Sequence, residues 1–164
     1  MNAEQKDQEM TDARPARARE LDLAAHPEGG WYRRVYTAGH GIETGNGRRP
    51  AATLIHFFLQ QHEHAAWHKV SSDEVWLWHG PGALDVQLGG TGDRPATQTV
   101  VRLDAPGTAG AVQQMLVPAG VWQQSVPAAD AAARPDHDVL VSCLVTPGFD
   151  FADWQLLPEA GHRA

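Results

Sequence analysis

The sequence contains a single cysteine, Cys143, so no disulfide closes within the chain, which suits a reducing compartment. That cysteine lies inside the apolar run VLVSCLV with nothing beside it in sequence to lower its pKa, and a buried, inert thiol is the expectation. No apolar stretch reaches the roughly 18 residues that suggest a membrane span, and no charged start with an apolar middle marks a signal peptide. The expected location is cytoplasmic, away from membranes. Positive charge is also scarce: 13 Lys and Arg stand against 20 Asp and Glu, a net charge of −7, with no basic stripe to track a phosphate backbone. Nucleic acid is therefore not an expected partner. The serine hydrolase signature Gly-x-Ser-x-Gly is absent. The glycines fall in scattered turns rather than between a strand and a helix, which argues against a phosphate loop. No internal repeat is present.

At 164 residues the chain fits one domain that can bury a core without staples. Residues 1–18 are polar and almost free of large apolar groups; they bury too little to offset the entropy of ordering and predict a disordered tail. Residues 159–164 predict a short C-terminal tail. Between residues 15 and 25, RARELDLAA carries helix formers behind Pro15 and predicts a short helix. The glycines of HPEGG then break it.

From Trp31 onward the pattern has period two. WYRRVYT, AATLIHFFL and residues 83–88, 99–103, 112–117, 121–126 and 149–157 read as strands, and VLVSCLV as a strand buried on both faces. Residues 38–50 read as a loop, and residues 128–136, rich in alanine, as a tolerated surface insertion. Many short strands, Gly/Pro turns and one helix predict an all-β sandwich or barrel over residues 19–158.

The densest chemistry lies in residues 65–82, AAWHKVSSDEVWLWHGPG. Strand parity puts Ala66 and His68 on one face, and Glu74, Trp76 and Trp78 on one face of the next strand. Ser71, Ser72 and Asp73 favour a turn between them. A hairpin over this turn would set His68 beside Glu74.

These residues resemble the first motif of the cupin superfamily, with Ala66 where a first histidine is usual. PAGVWQ (residues 118–123) resembles the second motif, with Gln123 where its histidine is usual. Four stretches, HPEGGWYRRVY (26–36), AWHKVSSDEVW (66–76), VPAGVWQ (117–123) and TPGFDFADW (146–154), are similar to the small single-domain cupin_5 family, whose activity is unsettled. The resemblance implies a cupin jelly-roll β-barrel with its ligand in the barrel mouth. It also implies a small-molecule ligand, and the barrel's sheet edges and aromatic outer face suggest a two-fold homodimer.

Two chemistries stay open at this stage. One is a divalent metal, zinc, iron, nickel or manganese, held by His68, Glu74, Gln123 and His64, the last sharing the parity of His68. The other is metal-free acid/base catalysis by His68 and Glu74, of the isomerase or epimerase type, since a neighbouring carboxylate orients an imidazole and raises its basicity. Arg33 is the candidate clamp for an anionic group, and Trp76, Trp78 and Gln123 are candidate ligand contacts. A non-catalytic small-molecule-binding module is the alternative to an enzyme. Among the other histidines, His79 is expected to be structural or interfacial and His26 to bond backbone in its turn, while His56 is ambiguous.

Overall fold

The computed structural model describes residues 12–96, 99–128 and 138–158. It opens with a five-residue helix, α1 (Ala16–Glu20). The helix stops because Asp22 takes a left-handed φ of 52°, which lets the Leu23 N–H reach the Ala18 carbonyl at 2.7 Å and the Asp22 N–H reach that of Arg19 at 3.1 Å. This closure buries Ala18 and Leu23 against Phe58. Two expectations are corrected here. The helix ends well before Ala25, because Ala24 and Ala25 pair with Tyr32 and Trp31 as a strand. The N-terminal tail does not extend to residue 18, because Ala18 is fully buried in the core. Residues 1–11, 159–164 and most of the expected insertion, 129–136, lie outside the described residues.

Two six-stranded sheets follow. The first orders β1 (Ala24–Ala25), β2 (Trp31–Thr37), β5 (Thr53–Leu59), β13 (Val139–Thr146), β7 (Asp73–Pro81) and β11 (Gln114–Val117). The second orders β10 (Ala111–Val112), β9 (Thr99–Leu103), β8 (Leu84–Leu88), β12 (Gln123–Pro127), β6 (Ala65–Val70) and β14 (Trp154–Leu156). Between them lies one core, in which Phe57, Leu59 and Trp76 of the first sheet meet Leu84, Val86 and Leu103 of the second. The all-β jelly roll is as expected from the alternating strands.

The stretch expected as a loop, residues 38–50, contains a hairpin of β3 (Gly41–Thr44) and β4 (Gly47–Pro50). Its two-residue turn, Gly45-Asn46, is held by the Thr44 hydroxyl on the Gly47 carbonyl at 2.6 Å. The buried Arg49 fastens the hairpin to the barrel through a forked pair with Asp153, at 2.7 and 3.1 Å.

A larger correction concerns residues 65–82. Strands β6 and β7 do not pair into a hairpin: β6 lies between β12 and β14, and β7 between β13 and β11, in the opposite sheet. Ser71 and Ser72 make the corner, with the Ser71 N–H on the Asp153 carbonyl at 3.0 Å. Each strand has a buried inner face, with His68 and Val70 on β6 and Glu74 and Trp76 on β7, and placing the two in facing sheets encloses both faces in one interior. His68 and Glu74 therefore meet across the interior rather than side by side on one surface.

Candidate functional site

One end of the barrel opens into a cavity of about 690 Å³. His26, Glu28, His68, Glu74 and Cys143 are among its inner lining, and Tyr32, Phe57, Phe149, Phe151 and Trp154 supply aromatic wall. Arg14, Arg33, Arg34, Asp22 and Asp150 also border it.

His68 projects from β6 and is almost fully buried. Its Nδ1 stands 2.7 Å from the Ala66 carbonyl oxygen. A carbonyl only accepts, so in the neutral ring Nδ1 carries the hydrogen and Nε2 keeps its lone pair. Burial holds the His68 pKa below the ordinary imidazole value, against the opposing pull of Glu74. His26 has the opposite arrangement. Its Nδ1 accepts the Glu28 N–H at 3.2 Å, so the neutral ring carries hydrogen on Nε2, and burial lowers its pKa to about 4. The backbone bond expected of His26 is present, but its ring also reaches the cavity.

Two carboxyl groups flank His68. Glu28 Oε2 lies 3.3 Å from His68 Nδ1 and 3.6 Å from His26 Nδ1, and accepts the Trp154 indole N–H at 3.2 Å. Burial pushes Glu28 up to about 8. Glu74 enters from β7 and accepts the Gln123 amide N–H at 2.5 Å, while Gln123 in turn accepts the Trp76 indole N–H at 3.0 Å. Burial raises Glu74 to about 7, with His68 and Gln123 pulling the other way and Glu28 adding to the rise. The Cys143 thiol is held well above its ordinary value, first by burial and then by Glu74, to which it hydrogen-bonds. The expected inert thiol is thus buried, yet it borders the cavity.

Of the sequence candidates, His68, Glu74 and Arg33 border the cavity, whereas Trp76, Trp78, Gln123 and His64 are not among its lining. Trp76 is core beneath Gln123. The Trp78 indole is spent on the Gly82 carbonyl at 2.8 Å, and the strand irregularity between Leu140 and Val141 falls opposite it. Arg33 pairs across the sheet with His56, on the face opposite Phe57. Arg34, not singled out from the sequence, pairs with the cavity-lining Ile55 and donates to the Phe149 carbonyl at 3.0 Å.

The four-ligand metal set is not assembled, and among the described residues no group of three or more His, Cys, Asp and Glu is arranged to hold an ion. His64 is exposed just ahead of β6, which begins at Ala65. Gln123 turns its N–H, not its oxygen, toward Glu74. The set of His68, Glu74, Gln123 and His64 therefore does not converge, whereas a divalent ion needs three or four converging groups.

Sequence reasoning missed Glu28 as a site residue because HPEGG reads as a turn. The turn is pressed onto the barrel: a Cβ at Gly29 would overlap the His64 carbonyl oxygen, and the Ala66 N–H bonds the Glu28 carbonyl at 2.7 Å. The available signal was an acid between a proline and two glycines; in the structure those glycines take positive φ, 105° and 71°.

The family model Cupin_5, described as Cupin superfamily (DUF985), matches residues 16–157. The chain belongs to this family. A hypothetical protein from Leishmania major is 32% identical, with a TM-score of 0.77 over 90% of this chain and 89% of that one. A protein from Shewanella oneidensis is 29% identical, with a TM-score of 0.72 over 85% and 81%. The cupin fold extends to more distant enzymes, including oxalate decarboxylase of B. subtilis, 12% identical with a TM-score of 0.55 over 84% of this chain and 31% of that one. No curated protein matches the chain.

Proposed function

We propose that this cupin binds a small organic molecule in its lumen and catalyses metal-independent proton transfer next to a carbonyl, an isomerisation or epimerisation. The observation that carries the reading is two buried carboxyl groups of unlike partners flanking one neutral imidazole, with Glu28 raised to about 8 and Glu74 to about 7. General acid/base groups work best when their pKa lies near the working pH, and paired groups in unlike environments divide the acid and base roles.

Near neutral pH, Glu28 enters protonated and Glu74 is partly ionised, its carboxylate oriented by Gln123. Glu74 takes the proton from the carbon beside the carbonyl while Glu28 gives its proton to the carbonyl oxygen, forming an enol. Return of a proton to the same or the conjugated carbon, and of the hydroxyl proton to Glu28, completes the cycle with no net change in protons. His68, fixed by Ala66, offers Nε2 as a hydrogen-bond acceptor that holds the substrate between the two acids.

The test is incubation of the protein in D₂O with a panel of small carbonyl compounds, read by proton NMR. Loss of a C–H signal that depends on both Glu28 and Glu74 is the expected result. Binding with no exchange in any compound overturns the catalytic reading and leaves a non-catalytic binding module.

A further inference from the structure

The lumen contains more information than its proton chemistry. Its wall is a connected set of rings: His26 stands edge-on to Tyr32 at 4.5 Å and to Trp154 at 6.3 Å, Trp154 to Phe151 at 5.6 Å, and Phe151 to Phe149 at 5.0 Å. Phe57 closes the set from below, 5.8 Å from His26. Tyr32, Phe149, Phe151 and Trp154 all line the cavity, and aromatic walls of this kind favour a further flat ring stacked or edge-on among them. Phe151 is 47% exposed, and among the described Phe, Tyr and Trp side chains only Tyr36 is more exposed.

The floor has a different character. Among the described lining residues, neither Lys nor Arg lies beside Glu28, His68 and Glu74; each arginine at the cavity is on α1's approach or on β2. A ligand carboxylate driven to this floor would meet two carboxyl groups and no cation, a costly burial of charge whether those groups are protonated or not. The floor is instead rich in paired donor and acceptor chemistry. His68 Nε2 has no bonded partner among the described residues and, with Nδ1 committed to Ala66, is an acceptor. Glu28 uses only Oε2 toward its neighbours, which leaves Oε1 to bond a ligand. An acceptor beside a carboxyl group matches an N–H beside a C=O.

We propose that the ligand is a flat, conjugated ring carrying an uncharged carbonyl or amide edge, with the ring among Tyr32, Phe151 and Trp154 and the edge on His68 and Glu28. This rests on the lumen being the ligand site and names the class of molecule that enters it; of the two reactions proposed above it is compatible with isomerisation of a conjugated carbonyl, because a flat ring has no tetrahedral centre to epimerise. Of the rim arginines, Arg14 is engaged by Asp12, Asp22 and the Leu23 carbonyl, Arg34 donates to the Phe149 carbonyl, and Arg33 of β2 stands opposite His56, so none of the three belongs to the floor made by Glu28, His68 and Glu74.

The test uses three probes of one size, benzamide, benzoate and cyclohexanecarboxamide, titrated at pH 7 and followed by protein NMR. Benzamide is expected to bind at millimolar concentration or below, with benzoate at least tenfold weaker because it brings a charge, and cyclohexanecarboxamide weaker because it is not flat. Phe151→Ala is expected to weaken benzamide about 3- to 10-fold, the range of one ring–ring contact. Glu28→Gln, which keeps a donor and an acceptor, is expected to retain benzamide while losing deuterium exchange. Benzoate binding as well as benzamide, indifference to ring saturation, or no benzamide binding each overturns the class. None of those outcomes touches the proton-transfer reading, which is tested by exchange. Selective benzamide binding with no exchange in any carbonyl compound sinks proton transfer and leaves the ligand class standing.

Discussion

The sheet made by β2, β5, β13 and β7 carries polar chemistry on both faces, and β13 alone supplies both. Cys143 points into the lumen toward Glu74, while its neighbour Ser142 points out, where His79 Nε2 lies 2.7 Å and His56 Nδ1 3.4 Å from its hydroxyl. The outer row continues to Arg33, opposite His56. Both faces thus hold imidazoles with hydrogen-bonding partners. Inside, Glu28 and Glu74 are removed from water and their pKa values move to about 8 and 7. Outside, His79 is exposed, and His56 is lowered by partial burial, then by His79 and Arg33. Imidazole is common to both clusters and does not separate them. The degree of desolvation does: burial is the first cause of the shifts at Glu28, Glu74 and His68, all removed from water, and acts only partially on His56.

The strongest way to break the comparison is to make matched changes on the two faces. Glu28→Gln keeps the shape of the lumen but removes a transferable proton, and the expected loss in deuterium exchange is about 100-fold or more. His79→Gln on the outer face is expected to leave the rate within about twofold, as a surface change away from the site. Proton NMR of exchange, with circular dichroism to confirm the fold, reads both. Equal losses would mean that the lumen is not where the chemistry occurs.

Stability against pH sharpens the same contrast. Glu28 and Glu74 have folded pKa values raised above the ordinary 4.5, so their stabilising effect is full below that value and is lost as pH rises toward about 7 and 8. His26, lowered from 6.5 to about 4, acts in the reverse sense: its contribution is full above 6.5 and is lost as pH falls toward 4. His68 is also lowered. Between 4.5 and 6.5 the two kinds oppose each other, but between 6.5 and 8 the carboxyls act alone. Each pH unit over which the folded state holds one extra proton is worth about 1.4 kcal/mol, so a decline of about 2 kcal/mol is expected across that upper window. Urea midpoints of Glu28→Gln combined with Glu74→Gln are expected to be flat there. A decline that persists in the double variant would assign it to other groups.

Gln123 offers a smaller test inside the lumen. Gln123→Leu removes the N–H that stabilises the Glu74 carboxylate and leaves the Trp76 indole without its acceptor. The expected cost is about 1–3 kcal/mol for the unpaired buried N–H. The midpoint of any activity governed by Glu74 is expected to move up in pH, because the lost bond favoured the ionised form. A downward shift would mean that the amide is turned the other way.

Much of this was legible in the sequence, because period-two alternation assigns a side chain to a face, and four ordered motifs marked the family. Alternation does not say which sheet a strand joins. That is why His68 and Glu74 were rightly expected to come together, but by way of a hairpin that does not form. His64 shared the parity of His68 yet lies outside, since the strand begins one residue after it. Glu28 and His26 were hidden because a turn is read for its backbone; their side chains enter the lumen only once the turn is pressed against β6. Arg34 was passed over for Arg33 because parity alone could not tell the inner face of β2 from the outer before Phe57 and Ile55 fixed it.

The smallest expected effect lies on the outer face and sets the scale for the rest. His79→Ala removes the closer of the two imidazoles bonded to Ser142, which is itself 4% exposed. The hydroxyl keeps His56 at 3.4 Å as a second partner, and rotation about its C–O bond lets it shorten that contact. The cost is therefore that of one ordinary hydrogen bond, about 0.5–1.5 kcal/mol in urea unfolding, and not that of an orphaned buried group. Adding His56→Ala takes away the remaining partner, and the pair is expected to cost more than the sum of the singles, the mark of a shared contact. Strict additivity would show that Ser142 finds water on that face, and that the outer cluster is a set of independent surface contacts.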